Sequence, residues 1–201
     1  MKNRTIPLSS KSFWIFDLDG TLTMPVHDFD LIRRELDIPD LADILEHLDS
    51  LSKSEASIRH SRLHQIELEL ACTAIASPGA AVILKKLYQS GVTLGILTRN
   101  DKDIALLTLD TIGVSHYFAS ENILGRAEAP PKPDPAGINY LLSEWGANPA
   151  ETVMVGDYLF DLQAGRAAGT TTIHVGRPDG KSWPEFTDLA VATLDDLALY
   201  I

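Results

Sequence analysis

The chain has little cysteine: Cys72 is the only one among 201 residues, so an intrachain disulfide is excluded and stability must come from a packed core. It lacks any apolar run long enough to span a bilayer. Residues 1–12 hold no sustained apolar segment of the kind a secretory leader needs. Basic residues are scarce, with 17 Lys and Arg against 28 Asp and Glu, a formal charge of −11. Such a balance, with a pI of about 4.8, argues against nucleic acid or an anionic membrane as partner. It leaves a small anionic substrate open, because local charge decides that. The expectation is a cytoplasmic protein, monomer or homodimer, with Cys72 packed as a small hydrophobe in an apolar helical stretch. Internal repeats and low-complexity tracts are also missing.

What is present is a 45 % apolar chain of a length that suits one α/β domain with a modest insertion. Its organising stretch is Phe13-Trp14-Ile15-Phe16 followed by Asp17-Leu18-Asp19-Gly20-Thr21. The aromatic and β-branched run reads as a buried strand. Two carboxylates then appear one residue apart, and Gly20 allows the backbone to turn. Asp and Gly are ordinary turn residues, so the stretch alone is also compatible with a plain turn. Burying two nearby carboxylates is costly unless a cation neutralises them, which favours a strand tip facing an open cleft.

From about Phe29 to Ala76 the pattern turns helical. Leu31, Leu36, Leu41, Ile44, Leu45 and Leu48 suggest short amphipathic helices broken at Pro39, and Lys53 to Ala76 reads as one longer helix. Leu63, Ile66 and Leu70 share a face of that helix, while Arg59, His60, Arg62 and His64 lie mostly away from it. About fifty helical residues between two strand-like runs read as an inserted subdomain over residues 24–77, with residues 1–23 and 78–201 forming the core.

Ser77-Pro78-Gly79 punctuates the return. A helix from Ala80 to Ser90 stops at Gly91, and Thr93 to Leu97 is a second strand that ends in Thr98-Arg99-Asn100. Asp101 suits a helix N-cap ahead of a helix from Asp103 to Ile112, and His116 to Ala119 reads as a short third strand. Pro130, Pro131, Pro133 and Pro135 make a stiff loop that fixes Lys132. After a helix from Ala136 to Trp145, Thr152 to Val155 is a fourth strand ending at Gly156-Asp157, with Asp161 in the first turn of the next helix. Thr171 to Val175 is a fifth strand, and Leu194 to Tyr200 a last helix. Trp183 and Phe186, after the fifth strand, are open to two readings: a closure over the cleft, or simple packing of the C-terminal segment.

Strands alternating with helices imply an α/β fold: a Rossmann-like, mostly parallel sheet with helices on both faces, plus the small all-helical insertion. Ligands bind beyond the carboxyl ends of such strands, and three strands end there in Asp17/Asp19, Thr98/Arg99 and Asp157. With Asp161, up to four carboxylates face Lys132, an excess of negative charge that calls for a hard divalent cation such as Mg²⁺. In that setting Asp17 can attack phosphorus, Asp19 can serve as acid and base, and Thr98 can bind phosphate oxygens. His60 and His64, four apart, lack the third ligand of a metal site.

Asp17-Leu-Asp-Gly-Thr-Leu-Thr, Thr98, Lys132 in Lys-Pro-Asp-Pro, and Gly156-Asp157-x-x-x-Asp161 resemble, in order and spacing, the four motifs of the haloacid dehalogenase (HAD) superfamily. The resemblance covers nearly the whole chain and implies a Mg²⁺-dependent phosphatase acting on a small phosphorylated metabolite. It implies Asp17 as nucleophile, Asp19 as acid/base, and Thr98 and Lys132 as phosphate ligands. The metal set would be Asp17, Asp157, Asp19 through its backbone carbonyl, and Asp161, which would bind the metal or pair with Lys132. The insertion resembles the helical cap of the phosphoglycolate phosphatase-like branch, though shorter. Arg99 and Tyr158 depart from the usual pattern at positions that would touch substrate. A phosphomutase of the β-phosphoglucomutase type would use the same core residues, and a scaffold protein that keeps the fold would lose one. Gly20, Arg99, Arg59 and Arg62 complete the expected binding set, the last two as readers of the substrate's non-reacting end, against the plainer alternative of a solvated, ion-paired helix face.

Overall fold

The computed structural model describes residues 8–201. The first seven residues, part of the stretch read above as lacking a leader and of the core segment 1–23, lie outside the described residues. Strand β1 (Phe13–Phe16) is the centre of the fold. Trp14 and Phe16 point to one side of it and Ile15 to the other, as strand alternation requires, and all three are fully buried. A strand buried on both faces is the signature of a parallel sheet covered on both sides.

Among the described residues that sheet has six strands in the order β3-β2-β1-β4-β5-β6. The other strands are β2 (Thr93–Leu97), β3 (Ile123–Leu124), β4 (Thr152–Gly156), β5 (Thr171–Val175) and β6 (Leu189–Val191), and every pairing is parallel. On the Trp14 side the core is closed by α4 (Ala80–Gln89), α5 (Lys102–Thr111) and α8 (Leu194–Leu197). On the Ile15 side it is closed by α6 (Ala136–Trp145) and α7 (Leu159–Ala167), through Ile138, Leu141 and Ala164. The chain leaves β1 for β2 on one side and returns to β4 on the other. The switch point therefore lies at the carboxyl end of β1, where such sheets bind ligands.

Between β1 and α4 stand α1 (Phe29–Glu35), α2 (Ile44–Asp49) and α3 (Lys53–Cys72). They bury a separate apolar cluster of Ile32, Leu36, Ile38, Leu45, Leu48 and Leu63. The chain enters and leaves this insertion side by side. Met24 N–H donates to Ile75 O at 2.8 Å, and Ser77 N–H to Leu22 O at 2.9 Å. No described helix is long and apolar enough to cross a membrane.

Three expectations change. The helix that starts at Lys53 stops at Cys72 rather than Ala76, and Cys72 is exposed rather than packed. It falls on the outer side of the last turn, next to the buried Ala71 that takes the core position. The third strand is Ile123–Leu124; Ser115–Tyr117 is a 3-10 turn. The aromatic pair Tyr117-Phe118 has strand propensity, but Gly113 has already bent the chain away from the sheet with a φ of +74°. Only Ile123 and Leu124 reach β2, opposite Ile96 and Leu97.

Candidate active site

The carboxyl ends of β1, β2 and β4 converge at the switch point. Asp17 is the first residue past β1, and its N–H still donates to Val155 O of β4 at 2.9 Å. That ladder bond fixes the carboxylate at the cleft floor. Lys132 Nζ donates to Asp17 Oδ1 at 2.6 Å and to Leu97 O at 2.6 Å, and pairs with Asp161 Oδ1 at 2.6 Å. The lysine is only 2 % exposed. Burial disfavours its charge, yet Asp161 and Asp17 more than offset this and hold the ammonium above its usual range. Thr21 Oγ1 donates to Asp17 Oδ2 at 3.1 Å. Thr98, buried at the tip of β2, accepts Asn100 N–H at 3.1 Å and keeps its own proton for an incoming oxygen.

Gly20 has a required conformation, with φ +89°, and a Cβ there would lie 2.6 Å from Asp157 Oδ2. The turn after β1 thus packs its backbone directly on the Asp157 carboxylate. Asp161 reaches the same place from the first turn of α7, where its Oδ2 accepts Tyr158 N–H at 3.0 Å. Asp17, Asp157 and Asp161 bring carboxylate oxygens within 4.8 Å of one another. Burial first, then the charge of Asp17, pushes both Asp157 and Asp161 above the usual carboxylate range, and Asp161's charge adds to the effect on Asp157. Three buried carboxylates against the two cations Lys132 and Arg177 leave an excess of negative charge on hard oxygen donors, which fits a Mg²⁺ ion.

The Asp19 side chain is outside that triad. Asn100 Nδ2 donates to its Oδ2 at 2.7 Å, and His27 Nε2 stands 3.9 Å from its Oδ1. Burial, then the negative charges of Asp17 and Glu67, raise its pKa to about 7. The carboxyl group can therefore carry a proton near neutral pH while remaining 21 % exposed to the cleft.

The cleft is a chamber of about 550 Å³ between the sheet edge and the insertion. Asp17, Thr98 and Lys132 lie in its lining, as do Phe29, Ile32 and Leu45 of the insertion. Arg99 also lines it, but its Nη2 is bound to both oxygens of Asp43 at 2.7 Å and its guanidinium lies 4.9 Å from the Phe160 ring centre.

Arg59 and Arg62 do not line the chamber. Arg59 donates to Leu36 O and, at 2.9 Å, to Asp37 O; Arg62 pairs with Glu35. Arg59 answers carbonyls at the end of α1 and Arg62 the side chain of Glu35 there, where a helix C-terminus wants positive charge. These contacts match the ion-paired helix face, the second of the two readings of this helix. His60 stands 3.9 Å from Asp49, and His64 faces Asp101 at 3.2 Å and Asp103 at 3.6 Å. Trp183 packs on Tyr158 and His174, at 5.3 and 5.6 Å between ring centres.

Five site residues were missed in the sequence: His27, Glu67, Asn100, Arg126 and Arg177. Glu67 had a signal, since it lies four residues after Leu63 on the buried face of α3 and is 5 % exposed. A charge on an apolar face calls for a buried partner, and that partner is Arg126, whose Nη1 donates to Glu67 Oε1 at 2.9 Å. Arg126 also donates to Asp101 through Nε at 2.9 Å and Nη2 at 2.7 Å. Arg177 follows β5, a fourth strand tip on the same edge, and pairs with Asp157.

A family model described as haloacid dehalogenase-like hydrolase matches residues 34–175, more than half of the chain, beginning after the Asp17–Asp19 turn. An uncharacterized hydrolase of Saccharomyces cerevisiae is 28 % identical over 188 residues, covering 92 % of this chain and 86 % of its own. A phosphoglycolate phosphatase of Aliivibrio fischeri is 29 % identical over 209 residues, covering 85 % and 88 %. The fold is shared with the crystal structure of a hydrolase from Pseudomonas syringae, with a TM-score of 0.77 and 24 % identity over 94 % of this chain and 97 % of that one.

Proposed function

The chain belongs to the haloacid dehalogenase-like hydrolase family, and from that premise we propose that it is a Mg²⁺-dependent phosphatase acting on a small phosphorylated metabolite through an aspartyl phosphate on Asp17. The observation that carries the reading is the Asp17 carboxylate itself. It is held by Lys132 and Thr21, beside two further buried carboxylates, at a chamber large enough for a metabolite. The helices α1–α3 act as the cap over it.

In this reading Asp17 attacks phosphorus and the bond to the leaving oxygen breaks. Asp19, its pKa near 7, gives its proton to that oxygen. The resulting Asp19 carboxylate then takes a proton from water, the water oxygen attacks the phosphoryl group, and inorganic phosphate leaves with Asp17 restored. Lys132 and Thr98 hold the phosphoryl oxygens. Asp17, Asp157 and Asp161 would hold Mg²⁺, which when bound supplies neutralising charge for the phosphoryl group. Asn100 keeps Asp19 aimed, and neutral His27, its pKa lowered by burial, stands behind it.

Phosphoglycolate, named for the Aliivibrio relative, heads the panel of phosphorylated metabolites to assay with Mg²⁺. The expected result is release of inorganic phosphate that EDTA and Asp17→Asn both abolish. Bisphosphate-stimulated isomerisation with little release would replace the reading with a mutase. Turnover that survives Asp17→Asn would end it.

A further inference from the structure

Arg177 is held with care. Its backbone is pinned just past β5 by a turn in which Gly180 N–H donates to Arg177 O at 3.1 Å. Its Nε donates to Asp179 Oδ1 at 3.2 Å, its guanidinium carbon lies 5.2 Å from the Tyr158 ring centre, and its Nη1 is bound to Asp157 Oδ2. Asp157 is the member of the acidic triad farthest from Lys132's reach: the lysine pairs with Asp17 and Asp161. The Gly20 turn packs against the Asp157 carboxylate, and Oδ1 lies 3.4 Å from Thr21 Oγ1, whose proton goes to Asp17. Arg177 thus sits on an oxygen of one of the three carboxylates that would hold a cation at the triad. Arg177 is also part of the chamber lining.

We propose that Arg177 is the built-in competitor of the metal: it holds Asp157 in the absence of Mg²⁺, yields that oxygen when Mg²⁺ binds, and then turns its charge to the anion in the chamber. The inference rests on the metal-site reading above but not on turnover. It makes metal binding and anion binding cooperative through one side chain. Removing Arg177 acts on the two in opposite directions. A divalent ion gains an oxygen and loses a repelling neighbour. Even at the dielectric of water, a unit charge within a few ångströms of a divalent ion opposes it by roughly tenfold or more in affinity. The anion loses a cation.

The test is calorimetry with the whole chain. Mg²⁺ is titrated without substrate, and inorganic phosphate is then titrated at saturating Mg²⁺. Arg177→Gln is expected to bind Mg²⁺ roughly tenfold tighter than the wild type and to bind phosphate more weakly. Arg177→Lys, which keeps the charge, is expected to stay close to the wild type in both. Asp179→Asn, in the exposed turn, is expected to weaken Mg²⁺ binding, because Arg177 then leans wholly on Asp157; this variant serves if Arg177→Gln does not fold. Mg²⁺ affinity that is unchanged or weaker in Arg177→Gln, or unchanged or tighter in Asp179→Asn, overturns the proposal. Absence of any Mg²⁺ binding that depends on Asp157 overturns both this proposal and the metal site. Asp157-dependent binding with no phosphatase activity leaves this proposal standing while the catalytic reading falls.

Discussion

Replacing Arg126 by Met should uncouple the insertion from the core. Arg126 lies just past β3 and is 11 % exposed, and it binds Glu67 of α3, which is 5 to 6 % exposed, together with Asp101 at the start of α5. It also donates to Arg99 O at 3.3 Å. Burial pushes Glu67 above the usual carboxylate range even with the arginine present, so without it Glu67 is a buried acid with no cation. Asp101 is more exposed and keeps His64 at 3.2 Å, so most of the cost falls on Glu67. Breaking a buried pair by removing one partner costs about 3–5 kcal/mol. We expect the low end, about 3 kcal/mol, because Glu67 can protonate. For a chain of this size that lowers Tm by roughly 6–12 °C. Arg126→Met with Glu67→Met should recover about 2 kcal/mol of the loss, since neither charge is then stranded. The assay is urea denaturation of wild type, both single variants and the double variant at neutral pH, with hydrogen exchange along α3. A cost below about 1 kcal/mol for Arg126→Met, or a double variant whose loss equals the sum of the singles, would refute the reasoning.

Gly20→Ala places a Cβ 2.6 Å from Asp157 Oδ2 at a φ of +89°, so it should lose most Mg²⁺-dependent phosphate release while costing only about 1–3 kcal/mol of stability. Comparing turnover with the denaturation midpoint checks this, and a proportionate loss of both would contradict it. Asn100→Ala frees Asp19 Oδ2 and should slow substrates with poor leaving groups more than activated ones, by less than the roughly 10²- to 10⁴-fold of a whole general acid; single-turnover rates decide. Asp101 is held below the usual carboxylate range, chiefly by its hydrogen bond from Arg126. Its contribution is therefore present above the ordinary carboxylate pKa of about 4 and is lost as pH falls through the depressed folded value. Asp101→Asn should flatten the acid side of a stability–pH curve, and an unchanged curve would show that the pair contributes nothing there.

The residues that were legible in the sequence are those whose chemistry is local. Asp17, Thr98 and Asp157 each stand where an apolar run turns polar, and Lys132 sits among prolines, so each is visible within a window of a few residues. The alternation of strands and helices made the parallel sheet legible for the same reason. Arg126 was not legible, because its partner Glu67 is 59 positions away and nothing local marks the arginine itself. For Arg59 and Arg62 the sequence left two readings open, because a basic helix face looks the same whether it meets substrate or the C-terminus of a neighbouring helix. The edge strand Ile123–Leu124 has two residues, too few to show a period, whereas the aromatic Tyr117-Phe118 pair mimics one.

The account turns on Asp17 as the atom that receives phosphorus. Wild type and Asp19→Asn are mixed with the best substrate and Mg²⁺, quenched in acid within a single turnover, digested, and read by mass spectrometry. The account predicts one phosphoryl group on the peptide that contains Asp17, accumulating further in Asp19→Asn because the water step slows. Phosphate released with no labelled peptide at any time, or a label on a different residue, would contradict it.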